Sequence, residues 1–134
     1  MIFWTFFNKE DNEMDLQIID RKFSICKVNE VSNQLLNHEF TFISKTDNEL
    51  SVICETDHIP EISLTVEHGW RCFRIAEDAS FEKYGMIAFL SKIIADEKTC
   101  ILVVATYDTD YIFLKEDKFD DIKKALLDNG CKFI

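Results

Sequence analysis

The chain has 134 residues, of which 47% are apolar and twelve are Phe, with only three Gly and one Pro; that length holds one compact domain or two very small ones, built from regular elements joined by short turns. Charged residues make up 30%, which excludes an integral membrane chain and a disordered one. The formal net charge of −10, without any basic run, argues against nucleic acid and against anionic membrane surfaces, since both need clustered Lys and Arg.

Residues 1–13 precede the regular pattern and are expected to be an extension, either loose or packed as an extra strand or against a partner. Residues 16–19 and 23–28 read as two short strands across a turn at Asp20-Arg21-Lys22. Residues 30–38 form a short helix with Val31, Leu35 and Leu36 on one face. Residues 40–45 and 50–55 are strands around the turn Thr46-Asp47-Asn48, and Asp57-His58-Ile59-Pro60 breaks the pattern. From 70 to 76 the side chains alternate, with Arg71, Phe73 and Ile75 on one face and Trp70, Cys72 and Arg74 on the other. Ser80 is expected to cap a helix that carries Glu82 in its first turn and runs to about Asp96, with Met86, Ile87, Phe89, Leu90, Ile93 and Ile94 as its apolar face. The apolar run 99–105 reads as a buried central strand. Tyr107-Asp108-Thr109 is a turn and residues 111–114 return as a strand. Asp117 caps the last helix, Phe119, Ile122 and Leu126 share its buried face, and Gly130 suits the left-handed position past its end. Residues 131–134 form a terminal strand.

From Gly69 on, the order is strand, helix, strand, strand, helix, strand, which is a ferredoxin-like pattern. A weak internal repeat sets Asp47-Asn48-Glu49-Leu50 beside Asp108-Thr109-Asp110-Tyr111, each followed by an apolar strand. The expected class is therefore α+β with two packed ferredoxin-like units, residues 14–66 with shortened helices and residues 67–134. The open face of such a sheet makes a homodimer the default. The five Cys are odd in number and far apart, and four lie in apolar runs; they are expected to be free thiols in a reducing, cytoplasmic setting.

Gly69-Trp70-Arg71-Cys72, Phe81 with Gly85-Met86-Ile87-Ala88, and the run from Val104 through Ala105, Thr106, Tyr107, Asp108, Thr109, Asp110 and Tyr111 to Ile112 resemble the small bacterial tandem ACT-domain proteins. These are similar to the regulatory ACT region of aspartokinases and to the eukaryotic cytosolic arginine sensors. The family's helix start reads F-x-x-x-G-[VI]-[LI]-A. Its later strand pair reads [IV]-S-T-[YF]-x-T-D-[YFH]-[IV]-[LF]-V, and this chain departs from it at Ala105, where Ser is usual, and in its Phe-Leu-Lys ending. The resemblance implies a non-enzymatic regulatory protein, a sensor that binds an amino acid or similar small ligand at an interface between ACT units, with a regulated enzyme as a further partner. Carried residue by residue, it implies ligand contacts at Asp78, Ala79, Ser80, Phe81, Tyr84 and Gly85, and at Thr106, Tyr107, Asp108, Thr109 and Asp110.

The chemistry of those positions suits an amino acid. Amides at a helix N-terminus near Ser80 form an anion site for a carboxylate, and Asp108 with Asp110, two residues apart, can hold an ammonium from one side. An ordinary turn at Asp108 and an ordinary cap at Ser80 are the structural alternatives. Gly85 inside a helix costs ~1 kcal/mol against Ala, which close approach of a ligand or backbone would explain. Tyr107 reads as a packing residue, with a lid over the ligand as its alternative. Asp47 and Glu49 read as a solvated turn. No catalytic, cofactor or metal set is expected: His38, His58 and His68 lack metal partners at short spacing, and neither a phosphate-cradling Gly loop nor a nucleophile elbow occurs. A Cys/His pair joined by folding is the enzymatic alternative. A dimerisation or protein-interaction module without a ligand is the rival to the sensor.

Overall fold

The computed structural model describes residues 14–76 and 85–134. Its elements are β1 (Asp15–Lys27), α1 (Asn33–Leu36), β2 (Phe42–Lys45), β3 (Leu50–Glu55), β4 (Thr65–Ile75), α2 (Met86–Asp96), β5 (Ile101–Ala105), β6 (Asp110–Lys115), α3 (Phe119–Asp128) and β7 (Lys132–Phe133), with 3₁₀ turns at Thr56–His58 and Glu116–Lys118. The chain divides into two compact units. One holds the residues up to Asp20 and from Arg71 on, and the other holds Arg21–Trp70.

In the first unit, β4-α2-β5-β6-α3-β7 is the ferredoxin-like order, and the strands lie β7-β1-β4-β6-β5. The start of β1 stands between β7 and β4, parallel to β7 with Leu16 opposite Phe133. Alternation turns Leu16, Phe73, Ile75, Ile112 and Leu114 toward the helices, where they meet Phe89, Leu90, Ile93 and Ile94 of α2 and Phe119, Ile122 and Leu126 of α3 in one core. Those helical positions recur at three- and four-residue spacing, which makes a single apolar stripe on each helix. Each such side chain, fully buried, contributes about 1.5–3 kcal/mol. The helix face and the strand alternation are both as the sequence predicts. So is the end of α3: Gly130 has φ 94, and the Gly130 and Cys131 amides donate to the Leu127 and Leu126 carbonyls at 3.1 and 3.0 Å.

In the second unit the strands lie β2-β3-β1-β4, with Ile43 opposite Val52 and Ile25 opposite Ile53. Cys26, Val28, Leu35, Val52 and Cys54 form its smaller core. The helix α1 is one turn, capped by Ser32 Oγ accepting from the Leu35 amide at 3.3 Å. The hairpins β2–β3 and β5–β6 are alike. Thr46 N–H donates to Glu49 O at 2.9 Å, and Thr106 N–H donates to Thr109 O at 2.8 Å. Both following strands bury their third to fifth residues, and both run into a 3₁₀ turn. After the first such turn Ile59 is extended, as a residue before proline must be; after the second, Phe119 is helical and α3 continues.

Five sequence expectations are corrected. There is no turn at Asp20-Arg21-Lys22: β1 is one strand of 13 residues, and the charged triplet is a solvent-exposed stretch of it. The run 99–105 is not a buried central strand. β5 ends the strand order and leaves Val103 39% exposed, because a strand apolar on both faces need not be flanked on both edges. The helix α2 opens at Met86 with Gly85 as its cap, so Gly85 is not inside the helix. Asp117 lies in a 3₁₀ turn and α3 starts after Lys118 without a side-chain cap. The hairpin match pairs Thr46 with Thr106 and Glu49 with Thr109, one residue off the register that acidic composition gives.

Candidate functional site

The turn between β5 and β6 is built by threonine. Thr106 Oγ1 donates to Thr109 O at 2.9 Å and accepts from the Thr109 amide at 3.3 Å, the local side-chain bonding that competes with extended ladders. Thr109 Oγ1 donates to the Ile75 carbonyl at 2.6 Å, which ties the turn to the end of β4. These bonds bring Thr106, Asp108 and Thr109 onto a cleft of about 390 Å³, whose other walls are Gln17, Arg74, Ile75, Ala76 and Tyr111.

Arg74 stands on β4 between Phe73 and Ile75, which face the helical core, so its guanidinium lies on the other side of the strand. Its Nε and Nη2 donate to Gln17 Oε1 at 3.1 and 2.9 Å, and its Nη1 donates to Tyr111 Oη at 3.0 Å. The Tyr111 ring lies 5.8 Å from the guanidinium carbon, a further attraction between cation and ring face. All these partners are neutral. The cleft therefore sets a cation, the acidic side chain of Asp108, and hydroxyl and amide groups around one open volume.

The predicted residues separate in the structure. Thr106, Asp108 and Thr109 share the cleft. Asp110 does not line it: it opens β6 opposite Ala105 and alternates with Ile112 and Leu114 toward the helical core. Burial pushes its carboxyl above the ordinary range by stripping water from the charged form. The two aspartates thus do not act from one side. Tyr107 does not pack, being 91% exposed. Gly85 has φ 79, and its carbonyl accepts from the Phe89 amide at 2.9 Å; a left-handed cap is the reason for glycine there. Residues 46–49 are solvated. Asp78, Ala79, Ser80, Phe81 and Tyr84 lie outside the described residues, as does the extension 1–13.

Gln17, Arg74 and Tyr111 escape sequence reasoning. The one signal was a charged residue within an apolar strand, at Arg74; Gln17 lies 57 residues away in sequence, with no local sign that it joins the site. A second cavity of about 300 Å³ opens between α2 and α3, lined by Phe89, Lys92, Ile93, Asp96, Ala125 and Asn129 among others. There Lys92 and Asp96 already pair with each other at 3.2 Å. Among the described residues, no group of three or more His, Cys, Asp or Glu side chains is placed to hold a metal ion, and no helix is long and apolar enough to cross a membrane.

Residues 65–128 match the ACT domain family, and residues 21–62 match the N-terminal domain of a second family. No curated protein matches the chain. Among solved structures, its fold is similar to that of protein Atu0741 from Agrobacterium tumefaciens, at 24% identity and TM-score 0.82 over 92% of this chain and 93% of that one. It is similar to VC0802 from Vibrio cholerae, a protein of unknown function, at 18% identity and TM-score 0.69 over 88% and 91%. It is also similar to the regulatory subunit of aspartate kinase from Thermus thermophilus, at 7% identity and TM-score 0.60 over 85% and 95%. Ferredoxin-like element order, α+β architecture and family match agree on an ACT domain over residues 65–128 of the chain.

Proposed function

We propose that this is a non-enzymatic, cytoplasmic regulatory protein that binds a small ligand, an amino acid, at the cleft of Arg74 and Asp108. The observation that carries this is the cleft itself. It gathers three residues to which the family resemblance gives ligand contact, Thr106, Asp108 and Thr109, around a guanidinium held by neutral oxygens. The resemblance adds Asp78, Ala79, Ser80, Phe81, Tyr84 and Gly85 to the proposed contacts. The fold shared with a protein described as a regulatory subunit supports a regulatory role.

In this proposal residues 14–66 and 67–134 are tandem ACT units. The two like hairpins support it, and Pro60 explains why the 3₁₀ turn of the earlier unit is not continued by a helix as that of the later one is. The chain acts as a homodimer, joined along the outer edge of β5, and passes its ligand state to a partner enzyme. Ligand binding at such an assembly favours whichever arrangement it fits better. A ligand-free interaction module is the second reading, favoured by the exposed Tyr107 and the exposed Val103 on β5.

A thermal-shift panel of the twenty amino acids at millimolar concentration separates the two. A ligand at ~100 times its dissociation constant adds ~2.7 kcal/mol, a rise of several degrees for a domain of this size. A hit among the amino acids is expected, and a flat panel would transfer the case to the interaction module.

A further inference from the structure

The chain has three arginines. Arg21 pairs with Glu55 at 3.0 Å and Arg71 with Asp20 at 3.3 Å. Arg74 alone meets no carboxylate within ion-pair distance among the described residues, although the chain carries 25 acidic side chains. Its guanidinium is nonetheless held in place. Gln17 Oε1 takes Nε and Nη2, and Tyr111 Oη takes Nη1. Of the five N–H bonds a guanidinium carries, three are engaged, and one each on Nη1 and Nη2 is left. A planar fork whose orientation is already fixed loses little entropy on binding a carboxylate.

The rest of the cleft narrows the ligand. Among the described residues, its remaining charged wall is Asp108; Thr106, Thr109, Ile75 and Ala76 are neutral. One cation and one anion around a common volume match one carboxylate and one ammonium. A ligand with a second carboxylate would set it against Asp108, and a ligand with a second cation would set it against Arg74. We infer that the cleft takes an α-amino acid with an uncharged side chain, its carboxylate on Arg74 and its ammonium on Asp108. This rests on the cleft being the amino-acid site proposed above, and it adds the orientation and the side-chain class.

The test is calorimetric titration of the full chain with neutral, acidic and basic amino acids, and with the primary amide of each one that binds. The amide keeps the ammonium and removes the carboxylate charge. A neutral amino acid is expected to bind, its amide at least ~30-fold more weakly, in line with the 2–3 kcal/mol upper range for hydrogen bonds to charged groups. Arg74→Gln, with its fold checked by circular dichroism, is expected to weaken the acid and leave the amide unchanged. Equal binding of acid and amide by the native chain overturns the Arg74 anchor even if the variant fails to fold, and leaves the amino-acid site standing. Binding confined to basic or acidic amino acids overturns the side-chain class and also leaves the site standing. No binding by any amino acid overturns the inference together with the proposed function.

Discussion

Cys26, Cys54, Cys72 and Cys131 are buried and Cys100 is exposed, all five as free thiols. Burial removes the water that a thiolate needs, and it pushes Cys54 and Cys72 up to about 12 and Cys131 up to about 11. Brief alkylation of the native chain at pH 8 is therefore expected to label Cys100 alone, read by mass spectrometry of the digest; rapid labelling of Cys72 would contradict the packing of β4. Asp110 makes a second residue-scale prediction. Its folded pKa is raised by burial, so ionisation costs stability above the folded pKa and the cost vanishes below the unfolded one, near the ordinary value of ~3.9. Asp110→Asn should raise Tm at pH 7 and leave it unchanged at pH 3. An equal rise at both pH values would show that charge burial is not the cause. At this scale the sequence revealed the turn at Asp108 through its residue chemistry. It could not show that Asp108 and Asp110 part company, because that depends on where the turn ends and β6 begins.

At the scale of elements, the helices were the most legible part. Ile122 and Leu126 fall on the buried stripe by spacing alone, and both are fully buried. Leu126→Ala should cost about 2–5 kcal/mol in urea unfolding, through lost burial and the cavity left behind; a loss below 1 kcal/mol would mean that α3 is not packed as described. Gly85 is a sharper case. Its φ of 79 is one that L-residues reach at a cost of about 1–2 kcal/mol, so Gly85→Ala should lower Tm by a few degrees although alanine favours helices. A rise in Tm would place Gly85 within the helix after all. The strands were less legible. Asp20-Arg21-Lys22 looks like a reversal because three charged residues interrupt an apolar pattern, yet its exposed members only mark the solvated stretch of a long strand. β5 misled in the opposite sense, since composition reports how apolar a strand is and not which of its edges is paired.

The molecule as a whole carries a charge of −10, and such a charge by itself selects no partner. In our proposal the outer edge of β5, the last strand of the sheet order among the described residues, selects one. Ile101, Leu102, Val103, Val104 and Ala105 bear no charge and no proline, the devices by which proteins usually protect an open edge. In our proposal a second copy covers it, and light scattering should return twice 15.7 kDa, with Val103→Lys shifting the mass toward one chain. A native mass of 15.7 kDa at high concentration would refute the dimer without touching the cleft. The order of elements from β4 to β7 could be read from the sequence. The insertion of β1 between β7 and β4 could not, and with it Gln17 and the polar setting of Arg74 stayed hidden, because nothing local marks a contact across 57 residues. Amide chemical shifts of the labelled chain, followed during titration with the amino acid that raises Tm most, bear on the cleft itself. The changes should concentrate at Gln17, at Arg74 to Ala76 and at Thr106 to Tyr111, and should spare the groove between α2 and α3. Changes centred on Phe89, Ile93 and Ala125 would move the ligand to that groove and contradict the assignment.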